Sequence, residues 1–510
     1  GDAGLSAKGK LVSAKAYFGM GDDEKAKMLL LDSYEEGLYG GSGKSFDWDL
    51  IGNKLKIPFL LAGGIDTINV ERALSSVSCK GIDVSSGVEH AAGIKDQAKV
   101  IDEIQKDRFE NLLPQLMKRH GIDMWILIAR EYNEDPILKT FLPPTWLNAR
   151  RRTIIVFSLK EGNFTSAAIT RYPFGRLIPS VWDKDKEPNQ WKALAKYIKN
   201  KNPKTIAVNT SENYALADGL VRTDFDNLIN ILPKNTSNRI ISSEPLAVSW
   251  IETRTKREMI IYNQLVSITH DIINEAFSTQ VITPGITTTE DVVWWLREKV
   301  RGLGLSTWFH PTVDVQRNEI SDLYSFDGKS KFDTILPGDL LHCDFGISYL
   351  TLNTDCQELA YVLKRGEKSA PLALINALKD GNTVQDYLTN NFVEGMTGNE
   401  TLIKALDQAK SAGFKPQIYT HPLGFFGHSA GTTFGMWDSQ NGIPGSGEHP
   451  LQKETVYAIE LNTKVYIKEW KKEVRIMLEE AGYFGSEGFK YVNGRQTELI
   501  LVGKKHSTIE

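Results

Sequence analysis

Gly338-Asp-Leu-Leu-His-Cys-Asp344-Phe-Gly-Ile-Ser-Tyr-Leu-Thr-Leu-Asn-Thr-Asp355-Cys-Gln-Glu-Leu-Ala-Tyr361 is the stretch that decides the reading of this 510-residue chain. It predicts two strands joined by a tight turn. Each strand carries one carboxylate in an otherwise apolar run. Asp344 follows Leu340, Leu341 and Cys343, and Asp355 precedes Leu359, Ala360 and Tyr361. A carboxylate in a buried strand is costly unless it is paired or binds a metal. Two on neighbouring strands repel each other, so a cation between them is the economical explanation.

Working downstream, three further segments offer groups of the same kind. Thr420-His-Pro-Leu-Gly-Phe-Phe-Gly-His428-Ser-Ala-Gly431 flanks a histidine with glycines and aromatics, leaving room for a ligand at the imidazole. Thr455-Val-Tyr-Ala-Ile-Glu460 and Glu473-Val-Arg-Ile-Met-Leu-Glu479-Glu480 each end an apolar strand on an acid. Alone, such a histidine is more often structural, and edge strands often carry charge. Together they give four strand carboxylates and one imidazole, hard ligands that suit two divalent ions such as Mn, Co or Zn. Upstream, Thr253-Arg-Thr-Lys-Arg-Glu258 opens an amphipathic helix to about Thr279, broken by Pro284-Gly285. Thr287-Thr-Thr-Glu290 predicts a capping box for the next helix. A strand over 307–315 and a polar loop over 318–331 lead back to the opening stretch.

These residues resemble the pita-bread metallopeptidases: methionine aminopeptidase, Xaa-Pro aminopeptidase and prolidase. The family ligand order Asp, Asp, His, Glu, Glu falls on Asp344, Asp355, His428, Glu460 and Glu479, with the first pair eleven positions apart as in the family. The resemblance implies that Asp355 and Glu479 bridge two metals, that Asp344 chelates one, and that His428 and Glu460 bind the other. It makes Glu460 the proton shuttle and His421 a substrate-side histidine. It implies a short peptide substrate, with cleavage at an N-terminal or dipeptide end, and a possible homodimer. Departures are visible. Glu358 stands where the Asp-x-x-Arg pattern has arginine, and Gly435 stands seven residues after His428 where a second histidine is expected. His310 lies early for the upstream histidine, and Glu480 competes with Glu479 as the last ligand.

Residues 107–250 predict a mixed α/β sheet domain. Strands are expected over 123–129, 151–158, 164–170 and 204–209, and helices over 192–200 and 216–232. No acid, base or phosphate constellation stands out there. Trp146, Arg150, Arg151, Arg152 and the Pro143-Pro144 turn are expected to be structural rather than to line a cleft. This segment resembles the N-terminal domain of the creatinase and prolidase branch.

The first 106 residues alternate short apolar strands with helical stretches, which implies parallel βα units. Glycines cluster after the strands, notably Gly40-Gly-Ser-Gly-Lys44, Gly63-Gly64 and Ser86-Gly87. Such loops let backbone N–H groups approach a phosphate. Leu30-Leu-Asp-Ser33, Tyr39-Gly-Gly-Ser-Gly-Lys-Ser-Phe-Asp-Trp48, Leu61-Ala-Gly-Gly-Ile65 and Asp83-Val-Ser-Ser-Gly-Val-Glu89 resemble phosphoribosylanthranilate isomerase of tryptophan biosynthesis. The resemblance implies a (β/α)8 barrel of which about the last four units are present, a half-barrel. It makes Asp32 the general acid and puts Gly41, Gly43, Gly64, Ser86 and Gly87 at the phosphate of a phosphorylated sugar–anthranilate ligand. The family's general-base cysteine, on the first barrel strand, has no counterpart. A fusion or a fragment is expected on that ground.

The chain therefore predicts an α/β and α+β multidomain protein: a partial half-barrel over 1–106, a creatinase-type α/β domain over 107–250 and a pita-bread domain over 251–510. An apolar content of 41% argues against long disorder, and a net charge of −4 gives no case for nucleic acid or an anionic membrane. Three cysteines, far apart or in strand context, form no disulfide framework and suit a reducing, cytoplasmic setting. No run of about 18 apolar residues predicts a membrane span. The expected activity is a dinuclear metal-dependent exopeptidase. The alternatives are the isomerase and a non-catalytic pita-bread binding module.

Overall fold

The computed structural model describes residues 97–318 and 334–503 throughout. Before residue 97 it describes the segments 3–5, 12–18, 26–33, 59–65, 69–77, 81–82, 89–91 and 94–95, with a few single positions between them. Internal contacts divide the chain into two units, residues 1–106 with 143–145, and residues 107–142 with 146–510.

The first unit is built on a five-stranded sheet in the order Ala3–Leu5, Val12–Phe18, Ala26–Ser33, Phe59–Leu61, Gly81–Ile82. The last three strands are parallel. Val12–Phe18 runs antiparallel to both of its neighbours, which departs from the parallel half-barrel expected from the alternation of elements. The reason is connection length. Only residues 19–25 separate Val12–Phe18 from Ala26–Ser33, and a parallel crossover needs about a dozen. Leu31, Phe59, Leu61, Ile65, Val70 and Ala73 are buried in one apolar cluster under the helix Val70–Ser76.

The second unit begins with a mixed five-stranded sheet in the order Asn163–Ala168, Arg152–Lys160, Met124–Arg130, Ile206–Val208, Ile240–Ser242. The strand Met124–Arg130 is covered on both faces. Trp125, Leu127 and Ala129 pack into one cluster and Met124, Ile126 and Ile128 into another. That two-sided burial is why its sequence reads as a continuous apolar run. The Trp146 indole packs edge-on to Tyr172 and Phe174 and lies under the Arg150 guanidinium, a structural role.

From residue 251, the described residues form the helices Lys256–Ala276, Thr289–Gly302, Leu372–Thr389 and Gly398–Ser411, three sheets of three or four strands, and a two-stranded hairpin. The long helix Lys256–Ala276 starts in a capping box between Thr255 and Glu258. The next helix, Thr289–Gly302, is capped by Thr288 and Asp291, one residue later than the sequence spacing predicts. Its strand partner is Thr312–Gln316, shorter than the stretch 307–315 expected. The key sheet has the order Thr312–Gln316, Leu340–Phe345, Cys356–Val362, Ile500–Val502. The opening stretch forms antiparallel strands with Asp344 opposite Gln357. Its connection is no tight turn: residues 346–355 carry their own hairpin, Ser348–Tyr349 with Leu352–Asn353. A second sheet comprises Pro416–Ile418, Leu461–Ile467 and Lys472–Leu478, and a third comprises His421–Leu423, Thr455–Ala458, Ala481–Gly485 and Gly488–Tyr491. The bridge between Gln357 and Glu479 links the key sheet to the strand carrying the last acids.

A buried ion triad joins the two parts of this unit. Arg108 Nη1 donates to Glu258 Oε2 at 2.8 Å, and Arg254 Nη1 donates to Glu258 Oε1 at 3.3 Å. Both guanidinium groups lie over the ring of Phe425. Burial lowers the Arg108 pKa to about 10, with Glu258 opposing that shift.

Candidate metal centre

Strand geometry gathers the acids. Asp344 sits near the end of Leu340–Phe345, and Asp355 immediately precedes Cys356–Val362. Glu460 lies between the strands Thr455–Ala458 and Leu461–Ile467, and Glu479 directly follows Lys472–Leu478. Strand Cβ atoms alternate between faces, so Asp344, Asp355 and Gln357 share one face while Cys343, Cys356 and Glu358 share the other.

The histidine in this cluster is His421, not His428. His421 Nε2 lies 3.6 Å from Glu479 Oε1, 3.7 Å from Asp355 Oδ2 and 4.0 Å from Glu460 Oε2. Single ligand atoms of Asp355, His421 and Glu479 lie within 4.8 Å of one another, close enough for one ion. His421 opens the strand His421–Leu423 and pairs with Ala458, two residues before Glu460, so the sheet register delivers it to the acids. His428 lies exposed in the following loop, its ring 4.8 Å from that of His421 and 5.2 Å from that of Trp308. The glycines around His428 serve packing rather than ligand access. A Cβ on Gly427 would meet the Trp308 ring at 2.3 Å, and one on Gly431 would meet Glu252 Oε2 at 2.7 Å.

Four atoms of this cluster are buried without a hydrogen-bond partner: Asp344 Oδ1, Asp355 Oδ1, His421 Nε2 and Glu479 Oε1. With His421 Nδ1 donating to Pro422 O at 3.1 Å, Nε2 turns a lone pair toward the carboxylates. Lone pair facing anion is repulsive, and a divalent cation reverses the sign. The residues therefore fit a metal. Without a cation the acids resist ionisation. Burial, and then Glu479, raises Asp344 to about 8, and burial raises Glu479 to about 8. Asp355 and Glu460 are pushed up by burial and by the charge of Glu479. Burial pulls His421 down to about 4, keeping the imidazole neutral.

A supporting layer escaped the sequence reading. Gln357 Nε2 donates to Glu460 Oε1 at 2.6 Å and Glu479 Oε2 at 2.9 Å, and its Oε1 accepts from His342 Nε2 at 2.9 Å. Asp314 Oδ2 lies 3.5 Å from His342 Nδ1. The signal was present: Gln357 and His342 stand two residues from Asp355 and Asp344, on the same strand face. The loop bearing His428 is held by Asn353, whose Nδ2 donates to Gly424 O and Phe425 O, each at 2.9 Å. His310 is exposed at 3.0 Å from Arg297 Nη1 and near the Trp294 ring. Glu480 faces away from the cluster.

In the first unit, Asp32 lies in the strand Ala26–Ser33, with its side chain outside the described residues. Gly41, Gly43, Ser86 and Gly87 also lie outside them. Gly64 is described. It follows Phe59–Leu61 with φ +60, after Gly63 at φ +89, and its carbonyl accepts from Asn69 Nδ2 at 2.8 Å. Two successive left-handed residues need glycine.

Comparison with known proteins matches two separate stretches of the chain. Residues 261–481 match the model of metallopeptidase family M24, and residues 12–106 match that of N-(5'-phosphoribosyl)anthranilate isomerase. The fold resembles that of the X-Pro aminopeptidase from Thermotoga maritima MSB8, with TM-score 0.53 and 16% identity over 76% of this chain and 100% of that one. It also resembles the Xaa-Pro dipeptidase from Bacillus anthracis, with TM-score 0.50 and 17% identity over 80% of this chain and 100% of that one. At the N-terminal end, the N-(5'-phosphoribosyl)anthranilate isomerase of Leptospira interrogans is 52% identical over 83 residues, 16% of this chain. The chain spans 38% of that relative's length. Its Pseudomonas putida (strain W619) counterpart is 48% identical over 75 residues, 15% of this chain and 36% of the relative. No described helix is long and apolar enough to cross a membrane.

Proposed function

We propose that residues 251–510 form a dinuclear metal-dependent exopeptidase acting on short peptides, of the Xaa-Pro aminopeptidase or dipeptidase kind. The observation that carries this reading is the set of four buried, unpartnered ligand atoms on Asp344, Asp355, His421 and Glu479. In this proposal Asp344, Asp355, His421, Glu460 and Glu479 hold two divalent ions, Mn, Co or Zn. Bound ions of this kind supply Lewis-acid polarisation of a carbonyl.

The chain's own residues do the rest. The Glu460 side chain is 18% exposed, so it can move a proton between the centre and bulk water. Gln357 orients Glu460 and Glu479 by donating to both. His428, at the rim, faces the approach to the centre with Trp308 beside it and is the substrate-side histidine. It stands seven residues after His421, which matches the spacing of the second histidine in the resembled family and removes the departure at Gly435. A complete ligand set argues against a binding module that has lost its metal. The test is release of the first residue from Xaa-Pro peptides by Mn- or Co-loaded protein. Absence of bound metal after reconstitution would overturn the proposal.

A second reading concerns residues 12–106, favoured by their identity to the isomerases. We propose that Asp32 is the acid, and that Gly64 with Gly41, Gly43, Ser86 and Gly87 takes the phosphate of a phosphorylated sugar–anthranilate ligand. Calorimetric titration with a stable analogue of that ligand tests binding, and Asp32-dependent rescue of a tryptophan auxotroph tests turnover. No heat of binding would exclude it.

A further inference from the structure

The same strand alternation that builds the Asp355 cluster builds a second one behind it. Asp355 and Cys356 are consecutive, as are Glu479 and Glu480, so each pair sends one ligand-type group to each face of its strand. On the far face, the long helix Lys256–Ala276 brings His270 to Cys356 and Glu480. The imidazole nitrogen, thiol sulfur and carboxylate oxygen lie within 4.8 Å of one another. His270 Nε2 is 2.9 Å from Glu480 Oε2 and 4.0 Å from Glu358 Oε1. Cys356, Glu480 and Glu358 are 0%, 1% and 5% exposed, respectively. Cys356 forms no disulfide.

Two carboxylates here share one imidazole. Even a charged His270 neutralises only one of them, and an unpaired buried carboxylate is costly. The surrounding hydrogen bonds leave the centre of the cluster to the four ligand groups. Glu480 Oε1 accepts from the Gln496 amide at 2.7 Å, and His270 Nδ1 lies 3.3 Å from Asn493 Oδ1. Without an ion, His270 Nε2–H donates to Glu480 Oε2 at 2.9 Å. An ion at the cluster would displace that proton, leaving Nδ1–H on Asn493 and the Nε2 lone pair free to ligate.

We propose that His270, Cys356, Glu358 and Glu480 form a separate mononuclear site for a thiophilic divalent ion such as zinc, on the face of the sheet opposite the Asp355 cluster. One sulfur, one nitrogen and two carboxylate oxygens make a four-coordinate set of the zinc type. Binding displaces the thiol proton, and any second proton on His270, into solvent. The soft sulfur distinguishes this site from the oxygen-rich cluster in front, so the two sites differ in ion preference. The inference stands whether or not the front cluster hydrolyses peptides.

Cobalt titration of the chelator-stripped full chain tests it, because a thiolate ligand gives Co(II) a near-ultraviolet charge-transfer band and carboxylate and imidazole ligands do not. The wild type is expected to show the band, Cys356→Ser to lose it, and Asp355→Asn to keep it while losing front-site ions by elemental analysis. His270→Asn should weaken the cobalt affinity read at that band at least about tenfold. A wild type without the band overturns the proposal, as does a band that persists in Cys356→Ser. A wild type in which His270 remains ion-paired to Glu480 at saturating cobalt, with no thiolate ligation, does so as well.

Discussion

His421 Nε2 and Glu479 Oε1 lie 3.6 Å apart, both buried, and neither makes a hydrogen bond. An acceptor facing an acceptor in a dry site is unfavourable by itself. That relationship makes His421 the candidate ligand and predicts a clean division of labour with His428. His421→Ala should abolish retention of metal by elemental analysis. His428→Ala should keep the metal, raise KM for an Xaa-Pro peptide and lower kcat. Equal metal loss in both variants would refute the assignment.

Gln357 is expected to act through the carboxylates it holds. Gln357→Ala removes two donors and should weaken metal affinity by about 10–100-fold, the range for groups that orient ligands. Competition with a fluorescent chelator reads this directly. Gln357→Glu should be worse, since it adds a fifth carboxylate beside Glu460 and Glu479.

Metal removal should lower stability as well as activity. Four clustered acids repel in the apo protein, and an ion bound only by the folded state stabilises it by about 2.7 kcal/mol at a hundred times its Kd. Thermal melts with chelator and with added Mn should differ, and the difference should shrink in Asp355→Asn.

The Arg108–Glu258–Arg254 triad supports the loop that carries His428, since both guanidinium groups stack on Phe425. Glu258→Ala leaves two buried cations unpaired and should cost about 3–5 kcal/mol. Denaturant unfolding measures the loss. A deficit under about 1 kcal/mol would mean that water reaches the pair.

His449 carries the pH dependence that can be signed from its surroundings. Burial lowers its pKa, but the partly buried contact with Glu252, 3.4 Å from Nε2, outweighs this and raises it, with Glu244 adding to the effect. The folded state therefore holds the proton more tightly than the unfolded state. Stability from this pair is fully present below the unfolded histidine pKa and falls as pH rises through the higher folded value. His449→Gln should flatten that part of the stability–pH curve, which chemical denaturation across neutral pH would show.

Much of the candidate centre was legible because its signal is local. Asp344, Asp355, Glu460 and Glu479 each interrupt or close an apolar strand, and such an anomaly is visible in a single segment. The choice between His421 and His428 had one local signal, their seven-residue spacing, but the contact with the acids was not local. It depends on strand His421–Leu423 pairing with Val456–Ala458, a register between segments about 35 residues apart. The glycines that made His428 look roomy are explained by Trp308 and Glu252, which approach them from distant parts of the chain. Gln357 and His342 were hidden for the opposite reason. A polar residue in a strand draws attention only once its neighbours across the sheet are known.

The amino-acid sequence by itself determined the apolar strand Met124–Arg130, buried on both faces, and four acids of the candidate centre. These follow from composition, period and spacing along the chain. Only the tertiary structure decided that Val12–Phe18 runs antiparallel, that His421 rather than His428 meets the acids, and that His270 closes a cluster with Cys356 and Glu480. Each of those depends on which face of one element meets which face of another. Strand alternation assigns a residue to a face, but long-range pairing decides what that face meets.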